Sequence, residues 1–379
     1  MFTKKFKFSL VLIIFLHSYS LSEELIVKIG HVSPLSGQTA HLGKDNENGA
    51  RMAIEDLNKN NLIISERKTK FILKSEDDAA MPQQGTAAAQ KLVDEKVNGV
   101  IGHLNSGTTI PASKIYNDAG IPQVSPSATN PKYTQQGFKG AFRIVANDNQ
   151  LGEALGKYAI DKLKKKNVAI IDDRTAYGVG VANVFRKVIK SSGGKIITRQ
   201  YTNDKATDFN AILTNIKSKK PDLIFFGGMD AVAGPMIRQM KQLGLDITFM
   251  GGDGICTEQL SSLSGDTVRD NQVICAEAGG IEGKKKTGLN KFKERYKKRF
   301  DVNVKLYAPY AYDAVMLMAT AMKKAESVDP KDYLDELTNI KYQGITGLIE
   351  FDKNGDIKNG ALTMYTYKNG KRSKIGVIK

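Results

Sequence analysis

Apolar stretches of strand length alternate with amphipathic stretches of helix length from Leu25 almost to the end of the chain. The first unit pairs the strand LIVKIGHV, from Leu25, with the helix NENGARMAIEDLNKN, from Asn46. Similar units follow, with a helix that opens near Pro82 and a strand that begins at Ile121. Because parallel strands need long crossovers that are usually helical, this alternation predicts an α/β fold with helices on the faces of parallel sheets.

A second series of strands and helices begins after FRIVANDNQ, from Phe142, and runs to the strand ITFMGGDG, from Ile247. Two series in succession predict two doubly wound lobes, since a single core rarely grows beyond about 250 residues. The remaining chain predicts a strand from Asn271, three helices and a closing hairpin at Asn369-Gly370. The three helices are expected near residues 286–300, 309–325 and 330–340. Their order alone does not decide which lobe they cover.

The first 22 residues have the pattern of a secretory signal peptide. Three lysines precede an apolar run from Phe8 to Leu16, and small residues follow it. The run is about half of the ~20 residues that a membrane-spanning helix needs. We therefore predict cleavage between Ser22 and Glu23, with a cut after Ser20 as the alternative. No cysteine follows the run, so the pattern predicts a soluble exported protein without a lipid anchor.

The formal net charge of +16 raises the question of a nucleic-acid partner. The basic runs, among them Lys164–Lys166, Lys284–Lys286 and Lys291–Arg299, lie in segments patterned as amphipathic helices. They contain no recognisable nucleic-acid motif and no aromatic stacking platform. We interpret them as solvated helix faces and predict no nucleic-acid partner.

The chain has two cysteines, Cys256 and Cys275. Export favours a disulfide between them, and two free buried thiols are the alternative. The bond would close a loop of about 20 residues, worth roughly 3 kcal/mol in the chain-entropy model. No Cys-x-x-Cys is present, so nothing indicates a redox site.

Motifs of catalysis are incomplete. The segment Gly102–Thr109 has the glycine spacing of a phosphate-binding loop, but Thr108 stands in place of its lysine. The four histidines are not at metal-ligand spacing, and no Gly-x-Ser-x-Gly elbow occurs. The acidic pairs Asp77-Asp78 and Asp172-Asp173 are interpreted as solvated or capping residues rather than as a glycosidase pair. The sequence therefore predicts binding rather than catalysis, with no metal and no cofactor.

Several loops at the predicted carboxyl ends of strands are polar, small and rich in turn residues. In open α/β sheets this edge is where ligands bind. The loops are HVSPLSGQTAHLGKD after the first strand, HLNSGTT after the third, SPSATNPKY after the fourth, and DRTAYGVG and GGDG in the second series.

Five stretches in this order resemble the periplasmic leucine/isoleucine/valine-binding proteins, the receptor family of branched-chain amino-acid ABC importers. They begin at Val100, Asp173, Phe225, Phe249 and Tyr307. The resemblance spans nearly all of the mature chain and implies the type I periplasmic binding protein fold, with two Rossmann-like lobes. The first lobe would hold residues 23–146 and 277–355, and the second 147–276 and 356–379. Three crossovers, near Asn147, Ala276 and Asp356, would join the lobes.

The resemblance also implies a ligand site in the cleft between the lobes. Its residues would be Ser106, Ser127, Thr129, Tyr177, Met229 and Asp253. The hydroxyls of Ser106 and Thr129 would hold the α-carboxylate and the ammonium of an amino acid, and a main-chain carbonyl at Ser127 would accept from the ammonium. Tyr177 would close over the ligand, and Asp253 would pair with the ammonium. From spacing alone Asp253 is a turn residue, and Ser106 and Thr129 are helix caps.

The chain departs from the family pattern at several of these positions. Asp253 replaces a glutamate, Met229 a tyrosine and Leu42 an aromatic residue. Ala80 and Asn105 occupy the places of a disulfide found in some relatives. The first three changes alter the size and shape of the pocket, so the side chain of the preferred ligand stays open.

The resemblance thus implies a monomeric periplasmic receptor of the Venus-flytrap type. It would close its lobes on a small aliphatic amino acid and deliver it to an inner-membrane permease and its ATPase subunits. Alternatives are an amide, urea-like or aromatic acid ligand, a ligand-sensing regulatory protein, and an extracellular hydrolase. The lack of a membrane or output segment after Lys379 speaks against the sensor. The missing nucleophile and metal sites speak against the hydrolase.

Overall fold

The computed structural model describes residues 24–280 and 286–378. The predicted signal peptide, residues 1–22, lies outside these ranges, as do Lys284 and Lys285 of one predicted basic run. Within the two ranges, none of the helices combines the length and the apolar character needed to cross a membrane.

The first sheet has six strands in the order β2-β3-β1-β4-β5-β6. All of them run parallel except the short β2, which is antiparallel to β3. The strands are β1 (Leu25–Ser33), β2 (Ile63–Ile64), β3 (Arg67–Asp77), β4 (Gly99–Gly102), β5 (Gln123–Ser125) and β6 (Ala141–Arg143).

The second sheet has seven strands in the order β15-β14-β11-β10-β9-β7-β8. Its first five strands along the chain are parallel, and the last two add an antiparallel hairpin at one edge. They are β7 (Asn167–Asp172), β8 (Lys195–Tyr201), β9 (Leu223–Gly227), β10 (Thr248–Gly251), β11 (Val273–Glu277), β14 (Leu362–Lys368) and β15 (Lys371–Ile378). A separate small hairpin is formed by β12 (Tyr342–Gly344) and β13 (Gly347–Ile349).

Helices connect and cover the sheets. In chain order they are α1 (Ala40–Lys59), α2 (Pro82–Asp94), α3 (Ser106–Asp118), α4 (Asp148–Lys157), α5 (Ala176–Ser191), α6 (Asn210–Ser218), α7 (Asp230–Gln242), α8 (Leu260–Leu263), α9 (Lys286–Phe300), α10 (Ala308–Ala325) and α11 (Pro330–Thr338). Short 3-10 turns lie at Pro131–Gln136 and Asp253–Ile255, and a π-helical turn extends α4 over Tyr158–Lys162.

The core of each lobe lies between its sheet and these helices. In the second lobe every residue of β9 is buried, as expected for a parallel strand covered on both faces. Phe185 of α5 stacks on Phe225 of β9 with 3.9 Å between ring centroids. The continuous apolar pattern of this strand therefore follows from its position in the centre of the sheet.

The three helices between β11 and β14, namely α9, α10 and α11, cover the first lobe. The order of elements in the sequence had left open which lobe they cover. Helix α10 packs along α1, where a side chain at Gly49 would overlap the main chain of Ala308. Tyr333 of α11 donates its hydroxyl to the carbonyl of Asn98, beside β4, at 2.5 Å. The chain thus returns to the first lobe before it ends in the hairpin of the second.

The chain crosses three times between the two units. The first crossing comes after β6, the second after β11 and the third after β13. This agrees with the predicted α/β fold with three crossovers. Asp356, in the third crossing, forms an ion pair with Arg143 and accepts a hydrogen bond from the side chain of Asn147 at 3.1 Å. These bonds tie two crossing segments to each other. The exact lobe limits at residues 146, 276 and 355 stay a prediction.

Two details of the first lobe differ from the pattern-based prediction. Helix α1 begins at Ala40 and not at Asn46, because the polar residues before Asn46 face the second lobe and the C-terminal helices. Strand β6 was not predicted, since its three residues are too short to show an alternating pattern.

The structure pairs Cys256 with Cys275, whose Cα atoms lie 5.4 Å apart. Both residues are fully buried, one just after the 3-10 turn at Asp253 and the other on β11. The bond would hold the loop after β10 against the neighbouring strand.

We predict that this bond is present in the exported protein. Alkylation of the unfolded protein without reductant should leave both cysteines unlabelled, because neither thiol is free. A protein reduced before unfolding should lose about 3 kcal/mol of unfolding free energy, since the loop of roughly 20 residues is no longer closed in the unfolded chain. Two labelled thiols in the unreduced sample would contradict the prediction.

Candidate functional site

A small cavity lies between the carboxyl ends of the two sheets. Its volume is about 10 Å³, roughly the space of one water molecule. Five of the six predicted ligand residues line it, together with three that were not predicted to bind. The lining residues are Leu104, Asn105, Ser106, Ser127, Tyr177, Met229, Asp253 and Tyr307. The first four follow strands β4 and β5 of the first lobe, and Tyr177, Met229 and Asp253 follow β7, β9 and β10 of the second.

Asp253 is the acidic group of this cavity. It begins the 3-10 turn after β10 and is only 2% exposed. The hydroxyl of Tyr177 donates to one carboxylate oxygen at 2.9 Å, and the hydroxyl of Tyr307 donates to the other at 2.8 Å. Burial raises the pKa of Asp253 to about 6, and the two tyrosine hydrogen bonds oppose the rise. The carboxylate faces no Lys, Arg or His among the cavity-lining residues of the described chain.

Tyr177 is held by more than the carboxylate. It lies in the first turn of α5, whose N-terminus is capped by the side chain of Thr175. The tyrosine hydroxyl also accepts a hydrogen bond from the amide of Gly254 at 3.0 Å. A side chain at Gly254 would overlap the Tyr177 ring and the sulfur of Met229. The glycines of the GGDG segment thus let the second-lobe half of the site pack closely.

Tyr307 is positioned by a buried carboxylate of α1. Asp45 accepts hydrogen bonds from the amides of four successive residues, 305–308, at 2.7–3.0 Å. It also accepts one from the hydroxyl of Tyr296 at 3.0 Å. The same residues form the start of α10, so Asp45 acts as a cap supplied from another helix. The position of Tyr307 therefore depends on a residue far away in the sequence.

Ser106 lies at the N-terminus of α3 and is 1% exposed. Its hydroxyl accepts a hydrogen bond from the amide of Asn130 at 3.2 Å, and Asn105 before it is extended and provides no side-chain cap. The first amides of a helix have no partner within that helix, and its N-terminus carries a partial positive charge. This end of the cavity can therefore hold a carboxylate without a basic side chain.

Ser127 and Thr129 occupy the loop after β5. The hydroxyl of Ser127 donates to the carbonyl of Leu104 at 3.0 Å, so its side chain serves the loop. Thr129 is 1% exposed and does not line the cavity directly. Its hydroxyl lacks a hydrogen-bond partner among the described residues. Both roles proposed from the sequence stay predictions.

Two further buried groups were not predicted. The side-chain oxygen of Asn105 lines the cavity and lacks a partner among the described residues. Asp148, the first residue of α4, is fully buried, and neither of its carboxylate oxygens has a well-oriented hydrogen bond in the described part of the chain. A buried polar group without a partner is costly and marks a position where a ligand or water donor is expected.

Two of the histidines, His31 and His103, serve the fold. His31 contacts Ser75 and Asn46, and His103 contacts Asp78 and Tyr116. No group of three or more His, Cys, Asp or Glu side chains in residues 24–280 and 286–378 could hold a metal ion. A wider groove is lined by several lysines and Arg372, but none of the predicted ligand residues lines it.

A two-lobed α/β molecule with a small polar and apolar cavity between the carboxyl ends of its sheets is the architecture of a hinged ligand-binding protein. The model of the family described as periplasmic binding protein matches residues 26–372. The chain belongs to this family, which confirms the resemblance seen in its sequence and its type I fold.

Two described proteins are similar to this chain over nearly its whole length. The chain is 33% identical over 359 residues to the leucine-, isoleucine-, valine-, threonine- and alanine-binding protein of Pseudomonas aeruginosa, and 94% of each chain is covered. A branched-chain amino-acid transporter substrate-binding protein from Streptococcus pneumoniae, solved in complex with isoleucine, has a TM-score of 0.83 at 27% identity. That match covers 93% of this chain and 99% of the other.

A solute-binding protein from R. palustris in complex with benzoate is also similar, with a TM-score of 0.82. It is 20% identical, and the match covers 93% of this chain and 96% of the other. At that identity the likeness concerns the fold alone. The same fold therefore occurs in a protein that binds benzoate and in one that binds isoleucine.

We predict that Asp45→Asn lowers the free energy of unfolding by about 2–5 kcal/mol, because an amide nitrogen would face buried N–H donors that lose their acceptor. Urea unfolding followed by circular dichroism measures the change. Asp94→Asn is the matched control, since Asp94 is exposed at the end of α2 and accepts a side-chain hydrogen bond from Gln90 at 2.9 Å. A loss for Asp45→Asn no larger than for the control would contradict the capping role.

Proposed function

We propose that the protein binds a small aliphatic amino acid between its lobes and delivers it to an inner-membrane ABC permease. The observation that carries the proposal is the carboxylate of Asp253, buried in the cavity without a basic partner among the lining residues. An ionised carboxylate in such a place is costly unless a cation joins it. The ammonium of an amino acid supplies that cation.

The opposite end of the cavity supports the same ligand. Ser106 presents a hydroxyl and a helix N-terminus, which together suit an α-carboxylate. A zwitterion has one group for each end, whereas a ligand with a carboxylate alone would leave Asp253 without a partner. This argument favours an amino acid over the aromatic acid bound by the R. palustris protein.

The other residues that line the cavity favour a ligand with an apolar side chain. Leu104, Met229 and the rings of Tyr177 and Tyr307 surround the space between the two polar ends. With a volume of about 10 Å³ the cavity is too small for an amino acid in this conformation, so the lobes would move apart to admit the ligand. The names of the P. aeruginosa and S. pneumoniae proteins, which mention small aliphatic amino acids, agree with this choice. Methionine is flexible, so Met229 can adapt to side chains of different shape.

The mechanism is hinge closure without a covalent step. With the proposed lobe limits, several hydrogen bonds join the lobes, and three of them lie away from the crossing segments. They connect Tyr307 to Asp253 at 2.8 Å, the Asn130 side chain to the carbonyl of Ala176 at 2.6 Å, and His41 to Asp230 at 2.9 Å. Opening the lobes would break all three and expose both halves of the site to water. A ligand that bridges the halves therefore shifts the population towards the closed form.

The proposal includes export of the protein to the periplasm. Residues 1–22 would be removed as a signal peptide, and the mature monomer would work in the periplasm. The closed form would then be recognised by the permease, whose ATPase subunits drive uptake.

We predict that Asp253→Asn weakens binding of the preferred amino acid by about 30-fold to several-thousand-fold, because removal of one partner of a buried charged pair costs about 2–5 kcal/mol. The variant keeps the shape and removes the charge. Calorimetric titration with leucine, isoleucine, valine and alanine measures the change.

Asp118→Asn is the control for loss of a negative charge, since Asp118 is an exposed residue paired with Lys114 at 2.6 Å at the end of α3. It should bind like the wild type. If Asp253→Asn binds within about threefold of the wild type, Asp253 is only a turn residue and the ammonium lies elsewhere. A wild-type protein that binds none of the four amino acids would refute the proposed ligand class.

A further inference from the structure

A second concave surface lies between α9 and the hairpin formed by β14 and β15. It is a groove of about 860 Å³, which we call the basic groove. Among the described residues, six basic side chains and two acidic ones line it. The basic residues are Lys286, Lys293, Lys305, Lys371, Arg372 and Lys374. The lining therefore has an excess of four positive charges at neutral pH.

One face of α9 borders the basic groove. Its lining residues are spaced at i, i+3, i+4 and i+7, which places them on one side of a helix. They are Lys286, Leu289, Asn290 and Lys293. Phe292 and Tyr296 of the same helix are buried in a cluster with Met52 and Ala308. The helix thus packs on the first lobe through one face and borders the groove with another.

Two arginines on the same helix have acidic partners outside the groove. Arg295 pairs with Asp56 at 2.6 Å and Arg299 pairs with Glu55 at 2.9 Å, and both carboxylates belong to α1. The two lysines of α9 that line the groove have no acidic partner in the described part of the chain. The positive charge on this face of the helix is therefore left for a group that the protein does not supply.

The carboxylates that line the groove are already engaged by one buried side chain. Arg372 on β15, whose side chain is 8% exposed, pairs with Glu258 at 2.9 Å and with Glu277 at 3.0 Å. Its guanidinium also donates to the carbonyl of Cys256 at 2.7 Å. Glu258 and Glu277 thus hold this arginine in place, and they do not balance the charge of the lysines.

Lys305 and Lys371 bring positive charge to the groove from its two sides. The amide of Lys305 donates to the buried carboxylate of Asp45 at 2.8 Å, so the main chain there is fixed against the first lobe. Lys371 begins β15 in the second sheet. Neither lysine pairs with a carboxylate within the described ranges. Positive charges on both sides of a concave surface reinforce each other's potential and concentrate anions there.

We propose that the basic groove is a second binding site, which takes phosphate groups from a free phosphate or pyrophosphate ion or from phospholipid headgroups. Lysine suits this chemistry because its ammonium is a compact charge with three N–H donors. The residues that line the groove differ from those that line the cavity at Asp253. The inference therefore goes beyond the proposed function and does not depend on it.

Calorimetric titration of the exported protein with pyrophosphate, without an amino acid, tests the site. Pyrophosphate should bind more tightly than inorganic phosphate because it carries more charge, and added salt should weaken both. Replacing two exposed groove lysines together, as Lys293→Gln and Lys371→Gln, should weaken pyrophosphate binding about tenfold, the combined effect of two exposed charge contacts. The control, Lys164→Gln with Lys219→Gln, loses the same charge at exposed positions outside the groove and should bind like the wild type.

Sedimentation with lipid vesicles distinguishes the two sources of phosphate. Vesicles that contain phosphatidylglycerol should retain the wild type and the control, but not the groove variant, if headgroups occupy the site, whereas pure phosphatidylcholine vesicles should retain none of them. Binding of pyrophosphate without retention by either kind of vesicle would identify a free ion as the ligand.

A wild type that binds neither pyrophosphate, inorganic phosphate nor the anionic vesicles would overturn the inference. Equal losses in the groove variant and the control would also overturn it, because net charge alone would then explain the binding. Titration of the same samples with leucine reports separately on the proposed function, since none of the four replaced lysines lines the cavity at Asp253.

Discussion

The closed arrangement of the two lobes depends on a carboxylate that has been removed from water. Asp253 lies in the second lobe, but one of its two hydroxyl partners, Tyr307, belongs to the part of the chain that covers the first. Two neutral donors do not offset the cost of burying a negative charge, and its pKa is raised accordingly. In the proposed function, a cation that enters between the lobes relieves this cost only when they are closed. Ligand capture and closure would then be coupled by electrostatics as well as by fit.

The scaffold keeps each half of the site in place before they meet. In the first lobe, Asp45 fixes the main chain of residues 305–308, and with it Tyr307. In the second, the Cys256–Cys275 pair and the hydroxyl of Tyr367, which donates to the carbonyl of Thr257 at 2.6 Å, hold the loop that follows Asp253. Asp356 links the crossing segments, near which the proposed bending would occur. Rigid halves joined at a narrow hinge would close with little loss of conformational freedom.

The sequence predicted the parallel sheets because buried strands such as β9 and amphipathic helices such as α5 have distinct periods. The family resemblance placed Tyr177, Met229 and Asp253 in one site, and the structure brings them together because loops at the carboxyl ends of parallel strands meet at one edge. Tyr307 escaped prediction as a contact because it precedes a helix of the other lobe, about fifty residues beyond Asp253, and only the second crossing, after β11, carries it there. Asp148 has the pattern of an ordinary residue in the first turn of a helix, and its lack of a partner is visible only in three dimensions.

A crystal structure of the protein with leucine tests the central claim most directly. The account predicts that the ammonium nitrogen lies about 3 Å from the carboxylate of Asp253, a normal hydrogen-bond distance, with the ligand carboxylate at Ser106 and the N-terminus of α3. A leucine bound in the reverse orientation would contradict it. So would a closed, leucine-bound protein in which Asp253 contacts only Tyr177 and Tyr307.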